Sequence, residues 1–321
     1  MAKLHRLPFN KSTISTKRPF QLVHMDLWGP YRVANVSGAR FFLTLVDDFS
    51  RNTWTQLLQN KTQAKSAIVN FYQMVETQFN SKIAMFRTDN GTEFVNASLL
   101  TFFASKRILH QRSIVGTPQQ NGVAERKHRH LLETARALRF HAGFPKSFWG
   151  ECILSATHLI NQLPMANLHW KSPFEVLYGQ VPSYNELRVI GCLCFSKQVK
   201  KTDKFESRAR KCILLGYTFG FKGYKLYDLN TKQIFHSRDV IFQEHIFPFK
   251  TSPSTLSTTV DDPSFGSVLP HMTPPFLQSL NNESFSHNGG SSSSNPRLLS
   301  DSEPSSSPGT THVSDTWSDS P

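Results

Sequence analysis

The chain has 321 residues, enough for about two domains, and a formal charge of +13 from 36 Lys and Arg against 23 Asp and Glu. It has no run of about 18 apolar residues and no signal-peptide core at its amino terminus, which predicts an intracellular protein without a membrane partner. Four cysteines, all between residues 152 and 212, are too few for a disulfide framework.

Charge is distributed unevenly along the chain. From Thr251 onward seven acidic residues accompany a single basic residue, Arg297, so residues 1–250 carry +19. A field of that sign concentrates polyanions and makes their binding depend on salt through counterion release. The charge therefore favours a nucleic-acid partner, although an excess of Lys and Arg that only keeps the surface soluble would give the same total.

The amino-terminal part of the chain has the pattern of a β-meander followed by a helix. Alternating apolar and polar residues predict a strand over residues 19–31, and residues 40–47 and 53–58 are predicted as the second and third strands. Asp26 lies near the end of the first strand, just before Gly29 and Pro30. Apolar residues at steps of three or four then predict a helix over residues 62–79 with one face in a core.

Two more strands and two helices are predicted after the meander. A short apolar run over residues 83–87 predicts a buried strand that carries Asp89 to its exposed end. A helix follows, with four apolar side chains predicted to face inward: Phe94, Leu99, Leu100 and Phe103. A strand over residues 108–112 and a long helix over residues 119–140 come next, and the long helix contains Glu125. This order is that of a ribonuclease-H-like α/β fold.

The remainder of the chain changes character twice. Residues 143–163 predict helices with an apolar stripe, and residues 185–249 contain about five short β-rich runs that predict a small β-barrel. From Thr251 the sequence is rich in Ser, Thr, Pro and Asn and is predicted to be disordered. The predicted domains are a residual linker, a catalytic core, a nucleic-acid-binding small β-barrel and a disordered tail, over residues 1–18, 19–182, 183–250 and 251–321.

Three acidic residues indicate metal-dependent chemistry on phosphodiesters. Asp26, Asp89 and Glu125 come from distant strand ends and a helix, and 35 residues separate the last two. Transfer of a phosphodiester needs an activated oxygen nucleophile and a stabilised leaving oxygen, which two Mg²⁺ ions about 3.5–4 Å apart can supply. Carboxylates are the ligands that Mg²⁺ prefers in proteins. The spacing is typical of two-metal polynucleotidyl transferases.

Other polar residues have simpler interpretations. Asp47 and Asp48 are predicted to stabilise a turn rather than bind metal, and Glu93 is predicted to occupy the first turn of a helix. Cys192 and Cys194 are interpreted as buried thiols on one strand face, with half of a zinc site as the alternative. Packing or phosphate contacts are expected of four histidines, in preference to zinc or general-base roles: His24, His110, His128 and His130.

The chain resembles the integrase core of copia-type long-terminal-repeat retrotransposons. The resemblance lies in residues 24–30 (HMDLWGP), 46–54 (VDDFSRNTW), 89–94 (DNGTEF) and 120–126 (QNGVAER). It continues through residues 172–179 (SPFEVLYG), 191–195 (GCLCF), 215–217 (LGY), 222–224 (KGY) and 237–242 (SRDVIF). Together these motifs cover about residues 3–250.

The resemblance implies a catalytic triad of Asp26, Asp89 and Glu125 that binds two Mg²⁺ or Mn²⁺ ions. The implied function is insertion of element DNA by phosphodiester strand transfer, with element ends and target DNA as partners, a possible homo-oligomer, and a nuclear location if functional or a cytoplasmic one otherwise. Phosphate contacts are expected at two places, near Glu125 and in the basic segment of residues 197–211: Arg126, Lys127, Arg129, Lys200, Lys201 and Lys204. For Arg129 the alternative is a solvated pair with Glu125.

The resemblance also defines what is expected to be missing. Relatives of this type carry a His/Cys zinc module before the core, and Met1 begins after the position of its cysteines. Neither a protease motif nor a polymerase Tyr-x-Asp-Asp motif occurs. A catalytically silent nucleic-acid-binding remnant is therefore the alternative to an active integrase, and a Mg²⁺ nuclease on the same fold is a third possibility.

Overall fold

The computed structural model describes residues 16–114, 121–197, 207–218, 220 and 222–251. The amino-terminal half of this part contains a first sheet and its helices: β1 (Val23–Trp28), β2 (Phe41–Asp47), β3 (Thr53–Leu58), α1 (Ala64–Phe79), β4 (Met85–Thr88), α2 (Ala97–Ser105) and β5 (Leu109–Arg112). Three helices follow: α3 (Gly122–Ala142), α4 (Trp149–Gln162) and α5 (Pro173–Tyr178). The last part contains β6 (Leu193–Lys197), β7 (Ala209–Tyr217), β8 (Tyr224–Asp228), β9 (Ile234–Ser237), β10 (Val240–Gln243) and α6 (Pro248–Thr251).

The first sheet is mixed, with strand order β3-β2-β1-β4-β5. Strands β1, β2 and β3 form the antiparallel meander, whereas β4 pairs parallel to β1 and β5 parallel to β4. This arrangement confirms the predicted ribonuclease-H-like mixed sheet with flanking helices. Because β1 and β4 run in the same direction, their carboxyl ends lie at one edge of the sheet.

Side-chain alternation along β1 separates two faces of the sheet. Val23 and Met25 are fully buried in a core with residues of α1 and α2, including Ile68 and Phe71. The alternate positions of β1 point to the opposite face, where α3 packs, and Asp26 occupies one of them. The period of two therefore places an acidic side chain under α3.

The predicted helices are confirmed with one error on α2. Ile68, Phe71 and Val75 of α1 are buried as predicted. On α2, Leu99 and Phe103 are buried, but Leu100 is 40% exposed. Consecutive helical positions differ by about 100°, so a short helix that buries Leu99 turns Leu100 toward solvent.

The second sheet is antiparallel, with strand order β10-β6-β7-β8-β9, where the sequence predicts about five short strands. Its apolar side chains form a second core with α3 and α4, in which Ile153 of α4 and Ile213 of β7 are both buried. The Ser155 hydroxyl donates to the Leu215 carbonyl (2.9 Å) and joins α4 to β7. The described residues all belong to one compact unit. The predicted tail lies outside the described residues from 252 onward.

All four cysteines belong to the second core as free, buried thiols: Cys152, Cys192, Cys194 and Cys212. Burial raises the pKa of each of these thiols. The interpretation as core thiols agrees with this placement. Among the helices that the structure describes, none has both the length and the hydropathy to span a bilayer.

Asp47 and Asp48 stabilise the β2–β3 turn and its surroundings. The Asp47 carboxylate accepts hydrogen bonds from the backbone N–H groups of Phe20 (2.8 Å) and Ser50 (2.9 Å). Asp48 lies 2.9 Å from His24 Nε2 and 3.1 Å from Arg51 Nη1. Burial alone would raise the pKa of Asp48, but the His24 hydrogen bond and the Arg51 charge outweigh it and lower that pKa.

Replacing Asp48 by Asn is expected to lower the free energy of unfolding by about 2 kcal/mol at neutral pH, because Arg51 and His24 lose their ionised acceptor. A carboxylate with a lowered folded pKa stabilises the fold above its unfolded pKa, and this contribution disappears as pH falls through the folded value. The difference from wild type should therefore shrink below about pH 4. Urea unfolding of both proteins between about pH 3 and pH 7 measures this difference in unfolding free energy. A difference that does not depend on pH contradicts the prediction.

Candidate functional site

Asp26 and Asp89 occupy matching positions on neighbouring parallel strands. His24 of β1 pairs with Arg87 of β4, and each aspartate lies two residues further along its strand direction. Asp26 is the fourth residue of β1, and Asp89 directly follows β4. The fold therefore brings both carboxylates to the same edge of the sheet, as the sequence predicts.

Glu125 reaches this edge from α3. It lies in the first turn of the helix, and its side chain is exposed. Asn121 precedes the helix and donates from Nδ2 to the Met25 carbonyl of β1 (3.2 Å), which holds the start of α3 against the strand that carries Asp26. The helix begins at Gly122, three residues later than predicted, and residues 115–120 lie outside the described part.

The pKa of Asp26 reflects its burial and the acidic side chains at this edge. Burial, followed by the negative charges of Asp89, Glu125 and Glu93, raises the pKa of Asp26 to about 7. The Leu27 N–H donates to Asp26 Oδ1 (2.9 Å) and opposes the shift only in part. Uncompensated negative charge at this edge makes ionised Asp26 unfavourable, and a cation bound there would relieve it.

The donor chemistry of this edge fits a divalent cation, but the side chains are not gathered into a finished site. Within the described ranges, no three His, Cys, Asp or Glu side chains are arranged to hold one ion. Asp89 Oδ1 accepts from the Gly91 N–H (2.9 Å), and Glu125 is exposed. To bind a cation such as Mg²⁺, which prefers oxygen ligands, the side chains of Asp89 and Glu125 would have to rotate toward Asp26.

Glu93 is a fourth acid at the site, and the prediction for it is wrong. Helix α2 begins at Ala97 with Asn96 as its cap, so Glu93 lies in the preceding turn rather than in the first turn of the helix. Its side chain is only 7% exposed and lies 3.4 Å from Lys61 Nζ. The negative charge of Glu93 contributes to the raised pKa of Asp26, because the loop that follows Asp89 turns back at Gly91.

His128 positions Asp26, a role that sequence reasoning missed. Its Nδ1 lies 3.3 Å from Asp26 Oδ2, and its Nε2 lies 2.9 Å from the Thr44 hydroxyl. Burial lowers the pKa of His128 to about 4, so the ring is neutral at pH 7. In a neutral ring, Nδ1 can donate to the backbone carbonyl of Asp26 while Nε2 accepts from the Thr44 hydroxyl. The helical step of three from Glu125 to His128 was the available signal.

The other predicted histidines have structural contacts. His24 is buried against Asp48, and His110 Nε2 lies 2.9 Å from the Thr88 hydroxyl. His130 is exposed on α3, next to Arg129. The contacts of His24 and His110 agree with a packing role. His130 is exposed, so a phosphate contact stays the prediction for this residue.

The predicted phosphate-binding residues differ in their placement. Arg126 and Arg129 are exposed on α3, and no ion pair joins Arg129 to Glu125 in the described structure. Lys127 is only 7% exposed, and its Nζ has no hydrogen-bond partner among the described residues. Burial, together with the Arg51 charge, lowers the pKa of Lys127 to about 8. Three residues of the expected set lie outside the described part: Lys200, Lys201 and Lys204.

Two family models match the chain. The model described as "Integrase core domain" matches residues 16–118, and the one described as "Retroviral polymerase SH3-like domain" matches residues 192–255. The first range includes the sheet with Asp26 and Asp89, and the second includes β6 to β10.

Curated relatives are similar over most of this chain. It is 36% identical over 276 residues to "Retrovirus-related Pol polyprotein from transposon RE1" of Arabidopsis thaliana, covering 85% of the chain and 19% of the relative. The RE2 polyprotein of the same plant is 35% identical over 82% of the chain and 18% of the relative. The Pol polyprotein from transposon TNT 1-94 of Nicotiana tabacum is 35% identical over 75% of the chain and 18% of the relative. The chain thus spans about a fifth of the length of the curated relatives it matches.

Solved structures with a related fold are more distant. A simian T-cell lymphotropic virus intasome in complex with a PP2A regulatory subunit aligns with a TM-score of 0.46 and 14% identity, over 74% of this chain and 82% of that one. The HTLV-2 integrase catalytic core domain in complex with magnesium aligns with a TM-score of 0.39 and 19% identity, over 51% of this chain and 99% of that one.

Proposed function

We propose that this chain, which belongs to the retrotransposon Pol polyproteins with an integrase core domain and a retroviral SH3-like domain, joins DNA strands by phosphodiester transfer. The observation that carries the proposal is the concentration of acidic charge around Asp26, where Asp89, Glu125 and Glu93 act on one buried carboxyl. Clustered carboxylates repel one another, and a bound cation would relieve this repulsion, as at known metal sites.

The proposed metal ligands are Asp26, Asp89 and Glu125, with Mg²⁺ or Mn²⁺ as the ions. Two such ions activate the attacking oxygen and stabilise the leaving oxygen of an in-line displacement. The contribution of the chain is to hold its acids on rigid elements, and His128 keeps the Asp26 carboxylate oriented through its 3.3 Å contact. In the proposed reaction, water attacks a phosphodiester near the end of the element DNA, and the 3′-hydroxyl of the element strand is released as the leaving group. This 3′-hydroxyl then attacks a phosphodiester of the target DNA, from which the target's own 3′-oxygen departs.

Arg126 and Arg129 are the proposed phosphate contacts in the described residues. Both are exposed and lie on the same helix as Glu125, within about one turn of it. Contacts to phosphates position a duplex but carry little information about its sequence, so target selection without base recognition is expected. Lys127 would need to leave its buried position to take part.

Replacing Arg129 by Gln is expected to weaken DNA binding severalfold and to reduce the slope of log affinity against log salt by about one. Lys82→Gln is the matched control, because Lys82 is an exposed cation before β4, at the end of the strand opposite to Asp89. Fluorescence anisotropy with a labelled duplex at several salt concentrations measures both slopes. Equal slopes for the two variants contradict a phosphate contact at Arg129.

A catalytically silent DNA-binding protein is the second candidate. It is favoured by the lack, within the described part, of three side chains already arranged around one ion. Joining of labelled DNA ends in Mg²⁺ supports the first proposal, and a mobility shift without cleavage supports the second. Hydrolysis without joining identifies a nuclease on the same fold. The assay therefore separates all three activities.

A further inference from the structure

The main chain on both sides of Asp89 is held by the residue that follows the neighbouring strand β5. The Ser113 N–H and hydroxyl donate to the Thr88 carbonyl at 3.0 and 3.2 Å. Beyond Asp89, the Asn90 Nδ2 donates to the Ser113 carbonyl at 2.6 Å. Thr88 and Ser113 are buried, so water competes only weakly for these hydrogen bonds. Both residues that flank Asp89 are therefore fixed to the end of β5.

A further contact reaches Asp89 from within β5. The Thr88 hydroxyl donates to the Asp89 carbonyl at 2.7 Å, and the same hydroxyl lies 2.9 Å from His110 Nε2. A hydroxyl has a single hydrogen, and a carbonyl can only accept. Both contacts are therefore hydrogen bonds only when His110 Nε2 carries a hydrogen and donates it to the Thr88 oxygen. We refer to this chain of bonds, from the imidazole through the hydroxyl to the carbonyl, as the His110 relay.

The imidazole of the His110 relay is itself held in place by the first core. His110 pairs with Phe86 in the parallel ladder between β4 and β5. Phe103 of α2 packs against the imidazole, with the two ring centroids 5.1 Å apart, and both phenylalanines are buried in the first core. Packing of this kind restricts the rotation of a side chain. The relay therefore connects a rigid part of the fold to the main chain at Asp89.

We propose that His110 is a positioning residue for Asp89 and acts through the Thr88 hydroxyl. The inference rests on the proposed role of Asp89 as a metal ligand. The Asp89 side chain is exposed and can rotate toward a cation, and a fixed main chain beneath it keeps the carboxylate within reach of Asp26. Each of the two strand ends then has its own histidine, because His128 contacts Asp26 directly.

The test measures binding of Mn²⁺ to the full chain without DNA, by electron paramagnetic resonance of the free ion. Thr88→Val keeps the shape of the side chain but removes the hydroxyl, and should weaken Mn²⁺ binding about tenfold, as loss of a group that orients a metal ligand does. Thr88→Ser retains the hydroxyl and should bind Mn²⁺ as the wild type does. Thr55→Val is the matched control: its hydroxyl bonds that of Thr157 (2.9 Å) on β3, two strands away from β1, and its loss should leave Mn²⁺ binding unchanged.

A second variant and a spectroscopic readout act on the relay itself. His110→Phe keeps a ring against Phe103 but removes the donor, and should weaken Mn²⁺ binding severalfold. Because His110 is only half-buried, this variant decides the question if Thr88→Val does not fold, which urea unfolding shows. Nitrogen-15 NMR of the wild type should find hydrogen on Nε2 of His110. Affinity for a labelled duplex should be the same in all variants, because the relay contains none of the proposed phosphate contacts.

The possible failures are distinguishable. A wild-type chain that binds no Mn²⁺ contradicts the proposed metal site, and the positioning role of His110 with it. If the wild type binds Mn²⁺ but Thr88→Val and His110→Phe bind it equally well, only the positioning role is wrong. Equal weakening by Thr88→Val and Thr88→Ser shows that the methyl group, and not the hydroxyl, supports Asp89. A neutral His110 ring with its hydrogen on Nδ1 contradicts the relay directly.

Discussion

Asp89→Asn is expected to abolish Mg²⁺-dependent DNA joining while leaving the fold intact. The substitution removes one negative charge from the acidic group around Asp26, and loss of a metal ligand should reduce the joining rate by at least about a hundredfold. Stability should not fall, because the substitution relieves charge repulsion with Asp26 and the amide oxygen of Asn can still accept from the Gly91 N–H. A joining assay with labelled oligonucleotides measures the rate.

The control for this variant is Asp239→Asn, which removes an exposed carboxylate from the turn between β9 and β10. It changes the net charge by the same amount but should retain wild-type joining. Binding of Mn²⁺ to the protein without DNA gives a second readout, and Asp89→Asn should weaken it. Undiminished joining by Asp89→Asn would remove Asp89 from the proposed site, whereas joining absent from the wild type as well would favour the silent binding protein.

Lys225→Met is expected to produce the largest loss of stability, about 3–5 kcal/mol in the free energy of unfolding. Lys225 of β8 contacts Glu151 of α4 at 2.7 Å, and the Glu151 carboxylate is only 3% exposed. Removal of the lysine leaves a buried negative charge without a partner. The pair joins the second sheet to the helix that also covers the first sheet, so its loss should weaken both cores together.

The reverse substitution should cost less. Glu151→Leu leaves Lys225 unpaired, but this side chain is 21% exposed and can turn its ammonium group into water. The double variant Glu151→Leu with Lys225→Met should recover most of the loss, because no buried charge remains. Urea unfolding of the three variants gives the comparison. A double variant as unstable as Lys225→Met alone would show that packing, not charge, determines the effect.

Local patterns in the sequence account for much of the fold. A period of two in β1, a period of about 3.6 in α1 and short β-rich runs in the second sheet predicted these elements. Parallel strand ends and a helix start predicted that Asp26, Asp89 and Glu125 lie at one edge of the sheet, and their joint role in binding metal stays a prediction. The resemblance to integrase cores is also borne out by the family comparisons.

Properties that depend on which distant residues surround a side chain required the tertiary structure. Lys127 carries a charge that predicts exposure, yet the packing of α3 on the sheet buries it. Glu93 joins the acidic site because its loop turns back before α2 begins.

By itself, then, the sequence determined the order and type of the elements, the family, and the three acids on which the proposed chemistry depends. The tertiary structure decided the environment of each charge: the raised pKa of Asp26, its contact with His128, and the core that α4 shares with the second sheet. The physical reason is that periodicity reports only which face of an element is buried, whereas burial and Coulomb interactions of a charged group are set by elements far away in the chain.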